Sequence, residues 1–359
     1  MKFILQTGGQ GTKLWPLSRE KLPKQFQKIA NSTSLFSYQV KTLLQAYPAE
    51  DLFVSTKEKY VKLSMEQAPQ IPVKNYIVEP DAKKGRGPAE GFVFLMLALS
   101  YPNEPFMLVQ TDCLREPEEE YLKMISEMQK LVVRDRKYIT GGMKANYPTL
   151  GIDYLKLGKR VKSDAKLNIF EVDEYIERNN DFYKTKKLVT DFYVAMHCNH
   201  GCWYPELMLN AYKKHAPDWY KSLMDIKEVV GKSKNGDKLE SIYSEMREGK
   251  TEEVTSHVFS DGYVVLLPFE WTDIGTWNSL YEFLSSQGKN YESGMVVSID
   301  STGSIIKSTN EKKLVAVMGV KDLVVVDTDD ILLVIPRDKA EKVKEIQSEL
   351  RDRKLSKYL

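Results

Sequence analysis

The stretch 5-LQTGGQGTKLWPLSREKLPKQF-26 decides how this chain is read. Gly8, Gly9 and Gly11 fall within four residues, directly after the apolar run 2-KFILQ-6, and the cations Lys13, Arg19 and Lys24 follow. A glycine-rich loop at the end of a strand lets consecutive backbone N–H groups converge on an anion, because no Cβ blocks the approach. Cations just beyond it neutralise phosphate charge. The pattern lacks the Lys-Ser/Thr pair of a P-loop, and Gly8-Gly9-x-Gly11 lacks the spaced glycines of a dinucleotide fold. A turn that is merely rich in glycine does not account for Trp15-Pro16-Leu17 and Pro23-Lys24-Gln25-Phe26 at these spacings.

Outward from this stretch, strand and helix patterns alternate. Residues 34–47 carry apolar positions at helical spacing, 51–56 read as a strand, 58–68 as a helix and 75–80 as a strand stopped by proline. Residues 90–101 read as a buried helix, and 105–112 as a strand ending on Asp112. This rhythm predicts an α/β fold, with a Rossmann-like, mostly parallel sheet flanked by helices and ligands at the carboxyl ends of its strands. After about residue 285 the rhythm changes. Five short β-branched runs (294–300, 303–309, 313–319, 322–328 and 330–336) follow one another with no helix between them. They predict a small C-terminal β-rich unit resembling a short β-solenoid, closed by a charged helix over 338–355. The expected division is 1–285 and 286–359.

Composition narrows the function classes. The 359 residues are 42% hydrophobic and carry 52 basic against 50 acidic side chains, a net charge of +2. So near a balance gives no bulk attraction to nucleic acid or membrane. No apolar run reaches the roughly 18 residues of a spanning helix, and Met1 leads straight into a strand. With three cysteines suggesting a reducing compartment, a cytoplasmic enzyme or binding protein is expected. His197, Cys198, His200 and Cys202 form a dense group of potential zinc ligands, but alternate strand residues face opposite ways and no second group supports them. They read as pocket lining or packing. Cys113 reads as a small apolar side chain, since nothing pairs it with a base.

Taken together, the motifs resemble the sugar-1-phosphate nucleotidyltransferases, and Trp-Pro-Leu-Ser-Arg with Pro-Lys-Gln-Phe resembles the mannose-1-phosphate guanylyltransferase branch. The likeness continues in order along the chain. 78-VEP-80 with Gly87-Pro88-Ala89 resembles the base-holding segment, and Asp112 occupies the place of the metal-binding aspartate. 148-PTLGIDY-154, 172-VDEYIERN-179 and Asn199-His200-Gly201 resemble the sugar-side segments. 271-WTDIGTW-277 resembles the motif of the second metal-binding aspartate, Asp273, and 321–338 the small β-domain of this branch.

The resemblance implies a transfer from GTP to a sugar 1-phosphate, most simply mannose 1-phosphate, in line and without a protein nucleophile. Lys13, Lys24, Asp112 and Asp273 would be catalytic, and Asp112 and Asp273 would hold Mg²⁺. Gly8, Gly9, Gly11, Thr12, Lys13, Glu79 and Gly87 would bind the nucleotide; Gly151, Glu177, Arg178 and Asn199 would bind the sugar phosphate. Neither nucleic acid nor membrane is an expected partner, and a homodimer is left open. The departures fall at ligand-facing motifs. Thr7 and Lys13 stand where the family has alanine and arginine, the base segment reads 83-KKGRGPA-89, and Glu177-Arg178-Asn179 replaces Glu-Lys-Pro. A different nucleotide or sugar, or a non-catalytic nucleotide-sugar-binding relative, are the alternatives.

Overall fold

In a computed structural model, which describes residues 1–9, 11–29, 33–231, 236–285 and 288–359, Lys2–Gln6 forms strand β1 as its apolar pattern predicts. It is followed by β2 (Leu52–Lys57), β3 (Tyr76–Glu79), β4 (Phe106–Gln110), β5 (Cys113–Glu116) and β6 (Ile139–Lys144). Next come β7 (Tyr154–Val161), β8 (Ile169–Ile176), β9 (Val194–His197), β10 (Cys202–Trp203), β11 (Tyr263–Leu266) and β12 (Glu270–Asp273). Contacts group the chain into two units, each drawn from separated segments.

The first unit comprises Met1–Gln6, Thr42–Gln110 and Glu116–Glu270. Its strands form one mixed sheet in the order β11-β8-β7-β9-β6-β10-β4-β1-β2-β3. β4, β1, β2 and β3 run parallel, as the strand–helix alternation requires of crossover connections. Beyond β10 the sheet turns largely antiparallel, because β7, β8 and β9 follow each other through hairpins and returns. Phe3, Ile4 and Leu5 are all fully buried, so β1 is covered on both faces. Ile4, Phe53, Phe94, Phe106, Trp219 and Val264 belong to its main core. Burying each such side chain contributes about 1.5–3 kcal/mol.

The helix expected from residue 90 begins earlier, spanning Arg86–Ser100. Gly85 turns the chain at φ +79°, and Pro88 sits in the first turn, where its missing N–H leaves no helical bond unmade.

The second unit comprises Thr7–Lys41, Thr111–Arg115 and Trp271–Leu359. β5 and β12 pair as a two-stranded sheet. The C-terminal strands are β13 (Tyr291–Ser293), β14 (Val296–Ile299), β15 (Ile305–Ser308), β16 (Val315–Met318), β17 (Leu323–Asp327) and β18 (Leu332–Pro336). β13, β15 and β17 stack in parallel, with Tyr291, Ile305 and Val324 in register, and β14 stacks on β16 likewise. This is the coil-on-coil pattern of a β-solenoid, ended by the antiparallel β18. The expected helix over 338–355 is divided into a 3₁₀ segment, Arg337–Lys342, and an α-helix, Val343–Asp352. Its charged residues face solvent, while Ala340 and Val343 enter a core shared with Leu14, Trp15, Trp277, Ile305 and Val324.

Candidate active site

In the second unit, the glycine stretch is shaped by the residues that follow it. Gly8 and Gly9 are exposed, and a Cβ on either would meet nothing within 4 Å. Gly11 is different: at φ +60° it lies against the stem of Lys24, and a Cβ there would come within 2.6 Å of the Lys24 Cβ and Cγ. Gln25, almost fully buried, turns its Nε2 back to donate to the Thr7 carbonyl. Thus the Pro-Lys-Gln-Phe motif acts as the floor of the glycine loop.

Lys24 is 9% exposed and its ammonium stands between two carboxylates, 2.8 Å from Asp112 Oδ2 and 3.4 Å from Asp273 Oδ1. It also donates to the Ile274 carbonyl at 3.4 Å. The local folding reason is the β5–β12 pair: Asp112 precedes β5, Asp273 ends β12, and the Ile274 N–H donates to the Asp112 carbonyl at 3.3 Å. Two aspartates far apart in sequence are thereby brought to one end of a small sheet. Burial pulls the Lys24 ammonium down, but Asp112 and Asp273 more than offset it and leave its pKa raised. Partial desolvation pushes the Asp273 carboxyl up; the Asp112 charge adds to this and Lys24 opposes it. Cys113 is fully buried and its thiol is pushed up to about 12, chiefly by burial, which leaves it inert.

The other cations of the stretch are paired elsewhere. Lys13 reaches Glu341 at 2.6 Å, with both side chains exposed. Arg19 forks onto Asp330 at 2.8 and 2.5 Å and donates to Thr328 Oγ1 at 3.1 Å, so it joins the solenoid to the stretch. Thr12 opens a 3₁₀ turn whose carbonyl accepts from Gln347 Nε2 at 2.6 Å. Trp15 Nε1 donates to the Tyr358 carbonyl at 2.7 Å. Trp-Pro-Leu is therefore a packing motif. Glu341, Gln347 and Asp330 escaped sequence reading because a charged terminal segment looks the same whether docked or solvated.

The first unit carries the base-side and sugar-side residues. Glu79, at the end of β3, accepts from Ser55 Oγ and lies 3.7 Å from Lys57 Nζ. Gly87 has its N–H on the Gly249 carbonyl at 3.0 Å and its carbonyl on the Tyr212 hydroxyl at 2.7 Å. Its missing side chain leaves room for Trp219, whose ring atoms would stand 2.3 Å from a Cβ. Gly87 is thus held by packing and by its own backbone bonds.

On the sugar side, β8, β7 and β9 are antiparallel neighbours, with Tyr154 opposite both Ile176 and Met196. That register places Gly151, Glu177, Arg178 and Asn199 at the same end of three adjacent strands. Gly151 turns at φ +71°, and Asn199 adopts the left-handed conformation at φ +48°. Glu177 is exposed. Arg178 is anchored to the buried Asp153, which accepts from its Nε at 2.9 Å, its backbone N–H at 2.8 Å and its Nη2. Burial pushes the Asp153 carboxyl up, but the hydrogen bonds and charge of Arg178 outweigh this and hold it low. The dense His/Cys group forms no metal site: no cluster of three or more His, Cys, Asp or Glu able to hold an ion occurs among the described residues. His197 is buried against Phe259 and lies 3.0 Å from Thr140 Oγ1. Cys198 and Cys202 are buried too.

Comparison with known proteins places the chain by family and fold. Residues 2–148 match the nucleotidyl transferase family, and 294–350 match the mannose-phosphate isomerase/GMP-like β-helix domain. Over its N-terminal part the chain is therefore similar to the nucleotidyl transferases. Within them it is similar to the mannose-1-phosphate guanylyltransferases. It is 27% identical to one from Escherichia coli, over 97% of this chain and 75% of that protein. It is also 26% identical to the xanthan biosynthesis protein XanB of Xanthomonas campestris, over 97% of this chain and 73% of that protein. A solved structure from Thermus thermophilus, described as a mannose-1-phosphate geranyltransferase, shares the fold. Its TM-score is 0.83 at 21% identity, over 98% of this chain and 99% of that one.

Proposed function

We propose that this chain transfers a guanylyl group from GTP to a sugar 1-phosphate, most simply mannose 1-phosphate, giving a GDP-sugar and pyrophosphate. The observation that carries the reading is Lys24 seated between Asp112 and Asp273 beneath a glycine loop with two open glycines. A phosphate oxygen of the sugar 1-phosphate attacks the α-phosphorus of GTP, a P–O bond forms, and the α–β bridging P–O bond breaks to release pyrophosphate. Such a transfer depends on positioning and on neutralising charge. Lys24 neutralises phosphate charge where it develops, and Lys13 adds a second cation once the triphosphate draws it from Glu341. The exposed backbone at Gly8 and Gly9 admits phosphate oxygens closely, with Gly11 and Thr12 setting the turn.

The donor set fits Mg²⁺. Two aspartates, without thiolate or imidazole, suit a hard ion that keeps water and phosphate oxygens in its remaining positions. Asp112 and Asp273 would hold it, and it would supply further neutralisation of phosphate charge. Glu79 and Gly87 shape the base side; Gly151, Glu177, Arg178 and Asn199 shape the sugar side. In this reading residues 1–285 carry catalysis, 286–359 brace the signature stretch, and the enzyme works in the cytoplasm. No helix among the described residues is long and apolar enough to cross a membrane.

The test is a matrix of nucleoside triphosphates against sugar 1-phosphates, read as pyrophosphate release with Mg²⁺ present. GTP with mannose 1-phosphate is expected to give the highest kcat/KM. A faster pair with another nucleotide or sugar would overturn the substrate assignment, and no release from any pair would overturn the enzyme reading.

A further inference from the structure

One carboxylate in the first unit belongs to none of the motifs yet stands between two of them. Glu252, in the first turn of the helix Glu252–Phe259, is largely buried and directs Oε1 toward two guanidinium groups. Arg86 Nη1, from the base-side segment, is 3.8 Å away; Arg178 Nη2, from the sugar-side segment, is 3.5 Å away. Both distances exceed the roughly 2.7–2.9 Å of a committed charge-assisted hydrogen bond. The carboxylate is shared between the two and fully engaged with neither.

Each arginine has a firmer partner behind it. Arg86 Nε and Nη2 hold Glu90 Oε1 at 3.1 and 2.8 Å, and that oxygen also accepts from Gln6 Nε2 at 2.8 Å. Arg178 is forked on Asp153, two residues beyond Gly151. A continuous chain of hydrogen bonds and ion pairs therefore runs Gln6–Glu90–Arg86–Glu252–Arg178–Asp153, joining the end of β1 and the base segment to the sugar loop. Its one loose link is Glu252.

We infer that Glu252 is a positioning residue that couples the nucleotide to the sugar 1-phosphate; the inference rests on the functional reading above. When the base of a nucleotide engages the segment Gly85–Pro88, Arg86 is drawn toward the acceptor atoms of that base, and Glu252 is released to close on Arg178. A committed Glu252–Arg178 pair braces the Arg178–Asp153 fork and with it the Gly151 loop. The sugar 1-phosphate then meets a site already ordered. By linkage the sugar strengthens nucleotide binding by the same factor.

The experiment is calorimetric titration of a non-hydrolysable GTP analogue with Mg²⁺, without and with saturating mannose 1-phosphate, on the full chain. In the parent, the sugar phosphate is expected to lower the analogue Kd by about fivefold or more, within the usual range of coupling between sites. Glu252→Gln keeps the shape and removes the charge; its coupling factor should fall to about twofold or less. Glu252→Asp should restore part of it, a rescue that a packing role would not produce. Thermal melts of both variants separate lost coupling from lost structure, and Arg178→Lys, which spoils the fork, should reduce the factor as well. An unchanged factor in folded Glu252→Gln, or no coupling in the parent, overturns the inference. Failure of the parent to bind either ligand instead removes the functional reading, and this inference with it.

Discussion

Replacing Lys24 by methionine separates the charge of this residue from its packing. The methionine stem still fills the space beside Gly11, where a Cβ would have met Lys24 Cβ at 2.6 Å, so the loop keeps its floor. What is lost is one positive charge at 2.8 and 3.4 Å from two carboxylates. Asp112 and Asp273 retain 38% and 55% side-chain exposure, so water can partly resolvate them. The stability cost should therefore lie at the low end of the range for breaking a buried charge pair, about 2 kcal/mol, a fall of a few degrees in Tm. Turnover should fall much further, by roughly 10²–10³, the usual loss when one transition-state charge donor is removed. Metal affinity should move the opposite way. Lys24 and a divalent cation compete for the same two carboxylates; removing the ammonium relieves a repulsion of about 2 kcal/mol even at the dielectric of water, about thirtyfold in Kd. Pyrophosphate release measures the first effect, and Mn²⁺ titration of the nucleotide-free protein measures the second. Turnover near that of the parent would refute Lys24 as a phosphate-handling residue. Lost turnover with unchanged Mn²⁺ affinity would refute the sharing of Asp112 and Asp273 by lysine and metal.

Three further outcomes are expected. Lys13→Ala should lose rate severely while Lys13→Arg keeps or raises it, and Glu341→Gln, which frees the Lys13 ammonium, should lower KM for the nucleotide; steady-state kinetics checks all three. Gly87→Ala forces a methyl group to within 2.3 Å of the Trp219 ring and should cost about 1–3 kcal/mol, read as a lower denaturant midpoint. His197 is neutral in the fold because burial lowers its pKa from 6.5 to about 4. The unfolded chain therefore binds more protons in that window. Its contribution is complete above about pH 6.5 and is lost as pH falls toward 4, by up to about 3 kcal/mol. His197→Asn should flatten the pH dependence of the denaturant midpoint across this interval, and an unchanged slope would contradict the assignment.

In the parallel half of the sheet, β1 and β4 were legible from the chain because each is an apolar run buried on both faces, and the edge strand β3 because a proline follows it. The antiparallel half was less so. β7 and β8 mix charged and apolar residues, and β10 is two residues long, so periodicity marks them weakly. At the candidate site, the motifs pointed to Lys24, Asp112 and Asp273, whose residue types carry their chemistry openly. They could not distinguish Arg19, which holds the solenoid, from Lys24, which sits between carboxylates. They also missed Asp153, Glu90 and Glu252, because an acidic residue in a helix or loop is ordinarily solvated and nothing local marks a buried one.

The sequence alone determined the strand–loop–helix order, the change to short β-branched runs near residue 285, and the glycine loop with its cations. These are local properties, carried by side-chain periodicity and by backbone freedom at glycine. Only the tertiary structure decided which charges meet. Asp112 and Asp273 converge through the β5–β12 pair, Lys13 turns to Glu341, and Glu252 lies between Arg86 and Arg178. The physical reason is that pairing depends on distances of a few ångströms between residues far apart in the chain. No local pattern encodes those distances; they exist once the sheets have set their register.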